Sequence, residues 1–314
     1  MGGSVALRII IGAAAAVALG FGAQALAGPA TDAKIQATRF SVDQGLGGAF
    51  AKCAAGTRAV GGGVIDVGSG SVFVSASGPL DGTDTAALRP STGVANTKDG
   101  DLAKQWYAGV SNKRAWTVGV KVLALCSRAS DARIQATSFH VGGRRTGHAS
   151  ARCGAGRRVV GGGLVQSNYP DNRLLASGPL DASGSPLYTA DGDVAKRWYV
   201  AVHNLPAKRV LFKVFALCSA DSHATIEATR FSARGGRTAH ASAVCPAAKR
   251  ALGGGIVQFG PPKFLRVLAS APLDATGTAA GTKDGDTAKR WYAAIENRNP
   301  SGVDFKTLAI CEPG

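Results

Sequence analysis

The sequence predicts an all-β chain of three tandem small antiparallel domains, each a sandwich or partly open barrel with one disulfide. Three observations lead there. A block of roughly ninety residues is written three times, a domain-sized period well above that of solenoid repeats. Within each block the apolar residues alternate with period two rather than 3.6. Each block also carries two cysteines at fixed positions, with none left over among the 6 in the chain.

The chain begins with a segment of the kind that directs export. Arg8 gives it a positive start, positions 9–21 are apolar, and Ala25, Leu26 and Ala27 form a small-x-small cleavage pattern. Residues 1–27 are therefore expected to be removed as a signal peptide. Membrane contact is expected only if that segment stays uncleaved, and the mature protein is expected to be secreted or held in the cell envelope.

The copies are expected at 33–126, 132–218 and 224–311, joined by the short polar stretches 127–131 and 219–223, with no demand that neighbours pack tightly. Each opens with I-[QE]-A-T-x-F, from Ile35, Ile134 and Ile226, and reads as strand. Next come the first cysteines, Cys53, Cys153 and Cys245, and glycine triplets starting at Gly61, Gly161 and Gly253. A phosphate loop would need a helix after the glycines. Leu164 and Val165 continue instead in β-like sequence, so the triplet reads as a bulge or a close backbone approach, with the tryptophan of its own copy the expected neighbour.

S-[GA]-P-L-D follows at Ser77, Ser177 and Ser270, then D-G-D-x-A-K-x-W-Y at Asp99, Asp191 and Asp284. Paired carboxylates attract hard cations, but two per motif are too few for calcium. Asp-Gly is also a turn signal, and Lys104, Lys196 and Lys289 would repel a metal. No metal and no cofactor is expected. In the Trp-Tyr pairs, alternation sends Trp106, Trp198 and Trp291 to the core and Tyr107, Tyr199 and Tyr292 to the other face, half exposed beside basic groups, where flat sugar rings could stack. The closing run 210–218 is apolar on both faces and fits a central strand.

In an oxidising compartment the even cysteine set reads as a disulfide framework. The simplest scheme pairs Cys53 with Cys126, Cys153 with Cys218 and Cys245 with Cys311. Pairing between neighbours would join Cys126 to Cys153 and Cys218 to Cys245, stranding Cys53 with Cys311. Each intra-copy bond closes a loop of roughly 65–75 residues, contributing about 4 kcal/mol in the chain-entropy picture. Immunoglobulin topology is disfavoured, because the tryptophans lie far after the first cysteine.

The formal net charge of +16 draws an exported chain to polyanions. Basic residues gather near the first cysteine of two copies, as Arg144, Arg145, Arg157 and Arg158 in copy two and Lys249 with Arg250 in copy three, whereas copy one lacks most of them. The expected partner is an anionic cell-wall polymer or polysaccharide, with no specific nucleic acid. No G-x-S-x-G elbow, H-E-x-x-H helix or recurring Ser/His/Asp set is present, so no catalytic residue is expected. The expected function is exported, non-catalytic binding. The competing reading is a secreted hydrolase with one specialised copy.

The string C-x-x-[GA]-x-R-x-[VL]-G-G-G, followed by S-x-P, W-Y-x-[AG] and a closing [VT]-x-A-[LI]-C, resembles a domain repeated in exported, mostly uncharacterised proteins of high-GC Gram-positive bacteria. The likeness covers all three copies. It implies export, a β fold and paired cysteines, and it names no ligand.

Overall fold

The computed structural model describes residues 28–68, 72–83, 96–166, 172–259 and 264–314; the expected signal segment 1–27 lies outside these described residues. They form eighteen β-strands and no helix. Copy one supplies β1 (Lys34–Val42), β2 (Gly45–Lys52), β3 (Arg58–Asp66), β4 (Val72–Leu80), β5 (Gln105–Asn112) and β6 (Val118–Ser127). Copy two supplies β7 (Arg133–Val141), β8 (Thr146–Arg152), β9 (Arg158–Gln166), β10 (Arg173–Leu180), β11 (Arg197–His203) and β12 (Val210–Ser219). Copy three supplies β13 (Thr225–Ala233), β14 (Arg237–Val244), β15 (Lys249–Gln258), β16 (Leu265–Leu273), β17 (Arg290–Asn297) and β18 (Val303–Pro313).

Each copy folds into two antiparallel leaves of three strands packed face to face. In copy one, leaf A runs β1-β6-β3 and leaf B runs β2-β5-β4. The closing strand is the middle of leaf A, which explains why it is apolar on both faces. Trp106 on β5 crosses the gap and lies against Gly62 on β3. The disulfide Cys53–Cys126 ties the end of β2 to β6, with Cα atoms 5.6 Å apart, and Cys153–Cys218 and Cys245–Cys311 repeat it. A crosslink between leaves strengthens a small core that a single copy of this size would struggle to supply alone.

The copies do not sit as separate beads. Leaf A of each continues edge to edge into leaf B of a neighbour, giving three six-stranded sheets in a closed cycle. The junctions are β9 with β4 (Leu164 opposite Ser77), β15 with β10 (Ile256 opposite Ser177) and β3 with β16 (Val64 opposite Ser270). The last of these joins copy three back to copy one and closes the ring. Junction strands that would otherwise leave sheet edges open to other chains are thereby paired.

The glycine triplet makes the ring possible. The ladder slips by one residue just before it in every copy, between Ala59 and Gly61 in the first. That bulge turns the Val60 carbonyl toward Gly161, the Val160 carbonyl toward Gly253 and the Leu252 carbonyl toward Gly61, and a Cβ at any of these glycines would overlap the oxygen it faces. The second glycine receives the tryptophan of its own copy: a Cβ on Gly62 would stand 2.5 Å from Trp106 Cδ2. The third abuts the serine carbonyl of a neighbour's S-[GA]-P motif, as Gly163 does with Ser77. The same serine's hydroxyl accepts the indole N–H, at 2.9 Å for Trp106 and Ser77.

Candidate functional site

Some of the recurring polar residues tie one copy to the next, and the others brace loops of their own copy. In D-G-D, Asp99 Oδ1 accepts the Ala136 N–H of copy two, Asp191 Oδ1 that of Ala228 in copy three, and Asp284 Oδ1 that of Ala37 in copy one. The second aspartate stays within its own turn, with Asp101 Oδ2 accepting Lys98 N–H at 2.8 Å. The aspartates of P-L-D bind their own loops in the same way, Asp274 Oδ1 accepting from the Thr276 hydroxyl at 2.6 Å.

A lysine on each closing strand supplies positive charge to these carboxylates from the neighbouring copy. Lys121 Nζ donates to the carbonyls of Ala279 and Thr282, at 2.5 and 2.7 Å. Lys306 Nζ donates to Pro186, Leu187 and Thr189, at 3.0, 3.1 and 2.5 Å, and Lys213 Nζ donates to Thr97 at 2.9 Å. Burial, reinforced by a nearby arginine, lowers the pKa of Lys121 and Lys306; Asp274, Asp284 and Asp286 partly counter this at Lys121, and Asp193, Asp191 and Asp181 at Lys306. Among the described residues no group of three or more His, Cys, Asp or Glu side chains is arranged to hold a metal.

The expected basic footprint is divided. Arg144 and Arg145 sit in the β7–β8 hairpin beyond Val141, which faces Val210, while Arg158 begins β9 opposite Ser219. A strand of this length separates the two pairs by roughly 25–30 Å. Arg144 takes a left-handed φ of 56°. Arg158 reaches the joint between copies, donating to the Ala224 carbonyl at 3.3 Å. Lys249 similarly donates to the Thr225 hydroxyl at 2.9 Å, and Arg250 begins the same strand at that rim. Lys196 and Lys289 donate to carbonyls of the turns after the first cysteines, at 3.1 Å to Arg157 and 3.0 Å to Ala247. Structural bonding thus accounts for part of the positive charge.

Tyr107, Tyr199 and Tyr292 lie on the outer face of leaf B, opposite the tryptophans, and are partly exposed. Each has a ring beside it: Phe50 at 5.2 Å from Tyr107, His148 at 6.1 Å from Tyr199 and His240 at 5.8 Å from Tyr292. Burial raises all three phenol pKa values, that of Tyr107 to about 12. Tyr292 and His240 line a trough of about 320 Å³ between copies three and one, bordered by Ile65, Asp66 and Thr238. The remaining histidines are dispersed over the strands and joints, and His203 Nδ1 lies 3.1 Å from the Thr146 hydroxyl.

A second trough of about 290 Å³ joins the same two copies and holds residues outside the recurring motifs. Arg266 on β16 and Phe73 on β4 occupy one repeat position, four residues before the serine of S-[GA]-P, with Arg173 as the counterpart in copy two. The Arg266 guanidinium stacks over Phe73, 4.1 Å from the ring centroid. Glu296 opposes Arg266 Nη1 at 3.5 Å and Arg298 Nε at 3.0 Å. Burial first, then Arg173 and Arg298, pull the Arg266 pKa down to about 10 against Glu296. The signal available in the sequence was a repeat position that breaks the repeat by turning from aromatic to basic.

No protein-family model matches the chain, and comparison with the curated proteins gives no match. The three disulfides fit an oxidising compartment.

Proposed function

We propose that the chain is an exported, non-catalytic binding protein of the cell exterior or envelope that engages anionic or carbohydrate polymers. The observation that carries this reading is the partly exposed tyrosine with a neighbouring ring on the outer face of leaf B, present in every copy. An aromatic face offers a sugar ring apolar contact and C–H packing, and nearby cations suit its acidic substituents. Three such faces fixed on one rigid ring can engage a repetitive polymer at several points, raising overall affinity by roughly 10²–10⁴-fold where geometry allows. The net charge of +16 supplies long-range attraction. Export is supported by the 1–27 segment and the disulfides.

The test is a glycan and polyanion array screened with the mature protein at low and physiological salt. Binding should concentrate on acidic glycans and weaken as salt screens exposed charge over about 8 Å. Replacing Tyr107, Tyr199 and Tyr292 with Ala together should remove it. Binding indifferent to these changes would move the site off leaf B. Release of new reducing ends from a bound glycan would replace this reading with the hydrolase.

A further inference from the structure

We propose that the trough at the mouth of the ring axis between copies one and three, built around Arg266, is a discrete site for one multivalent tetrahedral oxyanion, a phosphoryl or sulfuryl group. It deepens the polymer reading by naming the group recognised, and it stands or falls separately on the binding of simple anions.

Arg266 is nine-tenths buried, with 10% of its side chain exposed, yet no partner reaches its Nε. Its face is occupied by Phe73, so its remaining hydrogen-bonding capacity points along its edge. A buried guanidinium with an unsatisfied N–H is costly unless something completes it. Among the described residues around it, cations outnumber anions: Arg298 shares the trough, Arg173 bears on Arg266 from copy two, and the β5–β6 hairpin adds Lys113 and Arg114. Glu296 is the only carboxylate among the described residues that line the trough. It already bridges Arg266 and Arg298, so a monocarboxylate would duplicate a contact the site contains. The excess charge instead calls for a group with several charged oxygens, which arginine edges arriving from different strands can grip.

The mouth is also particular to this pair of copies. The position held by Arg266 is Phe73 in copy one, so the stacked Arg–Phe pair arises where these copies meet. Copy three alone supplies Glu296, because His203 and Ser111 stand at that repeat position in the other copies. One site per molecule is therefore expected, in contrast with the threefold tyrosine faces.

The full mature chain, labelled to show arginine Nε–Hε signals, is titrated by NMR with inorganic phosphate, sulfate and acetate at constant ionic strength. Phosphate and sulfate should move the Arg266 signal saturably with one site per chain, and acetate should not. Arg266→Met and the exposed double variant Arg298→Gln with Arg114→Gln should each weaken phosphate by roughly tenfold or more. The surface double variant keeps the test decisive if Arg266→Met folds poorly. A phosphodiester-linked oligomer serves as the second arm: tighter binding than phosphate assigns the site to a polymer, and equal or weaker binding assigns it to a free anion. An unmoved Arg266 signal, an equal response to acetate, or undiminished binding by the double variant would each overturn the site. A failed glycan array with intact phosphate binding would remove the polymer reading alone.

Discussion

Replacing Lys306 with Met tests whether the lysine clasps hold the ring closed. The substitution keeps an unbranched stem of similar volume and removes only the ammonium, which donates to three carbonyls of the copy-two loop. Lys306 is 2% exposed, so water cannot readily replace it. A buried carbonyl that loses its partner costs about 1–3 kcal/mol, and three are affected. Two terms oppose this: the buried charge itself is costly, as its lowered pKa records, and each carbonyl can relax toward other donors. The balance is a loss of about 3 kcal/mol. At about 2–3 °C per kcal/mol for a chain of this size, Tm should fall by about 6–9 °C in calorimetry with the disulfides intact. Hydrogen exchange should rise at residues 186–189 before the rest of copy two opens. A variant melting within about 2 °C of the parent would refute the reasoning, since it would place less than about 1 kcal/mol in the clasp.

Gly62→Ala should destabilise by several kcal/mol and shift Trp106 fluorescence, because the new methyl would meet the indole 2.5 Å away; Gly56→Ala, with open space but a φ of +78°, should cost only about 1 kcal/mol and leave the fluorescence alone. For Tyr107 the phenol pKa is about 12 folded against an ordinary 10.0, so the unfolded chain releases its proton first. The Tyr107 share of stability should be intact below about pH 10 and fall by roughly 2–3 kcal/mol as pH rises to about 12; in alkaline denaturation Tyr107→Phe should remove that share of the slope and leave the part due to Tyr199 and Tyr292. The fragment 132–218 exposes the β9 and β10 edges that otherwise pair with β4 and β15, and sedimentation should show it self-associating, with a trimeric ring the expected species. A stable monomeric fragment would count against shared sheets as a requirement of the fold.

The strands, their alternation and the role of the tryptophan were legible because each depends on residues close in sequence. The 198–202 stretch alternates as β11 does, and 210–218 is apolar on both faces because β12 lies between two strands and two layers. The glycine triplet shows both features its sequence suggests, a bulge and a close approach to its own tryptophan, but only the middle glycine serves that approach. Its first and third members face other copies, and nothing local in G-G-G reveals that partner. The same holds for D-G-D, where the turn was visible and the acceptor role toward a neighbour's opening strand was not. Lys121, Lys213 and Lys306 offered a signal that composition obscured: a lysine kept in every copy within a strand otherwise apolar on both faces. Arg144 and Arg158 looked like one patch because they are near in sequence, yet a full strand length separates them.

A closed ring of unequal copies divides the residues into two groups. Whatever occurs three times at one repeat position is under a common demand, and here that demand is met by named contacts: tryptophan to serine, aspartate to a neighbour's backbone, lysine to a neighbour's loop. Such residues cannot readily be given to a ligand without opening the ring. The recurring tyrosine differs, since it points away from the interior and is only partly buried, so it is both repeated and available. The remaining freedom lies where the copies diverge without structural need. Phe73, Arg173 and Arg266 share one position, which is aromatic in copy one and basic in the other two. A buried arginine whose Nε lacks a partner lowers stability in the empty protein. Arg266→Met should therefore leave the unliganded Tm unchanged or raised while abolishing the stabilisation that phosphate confers on the parent. A large loss of stability without ligand would make Arg266 a structural member of the ring instead, held by Phe73 and Glu296.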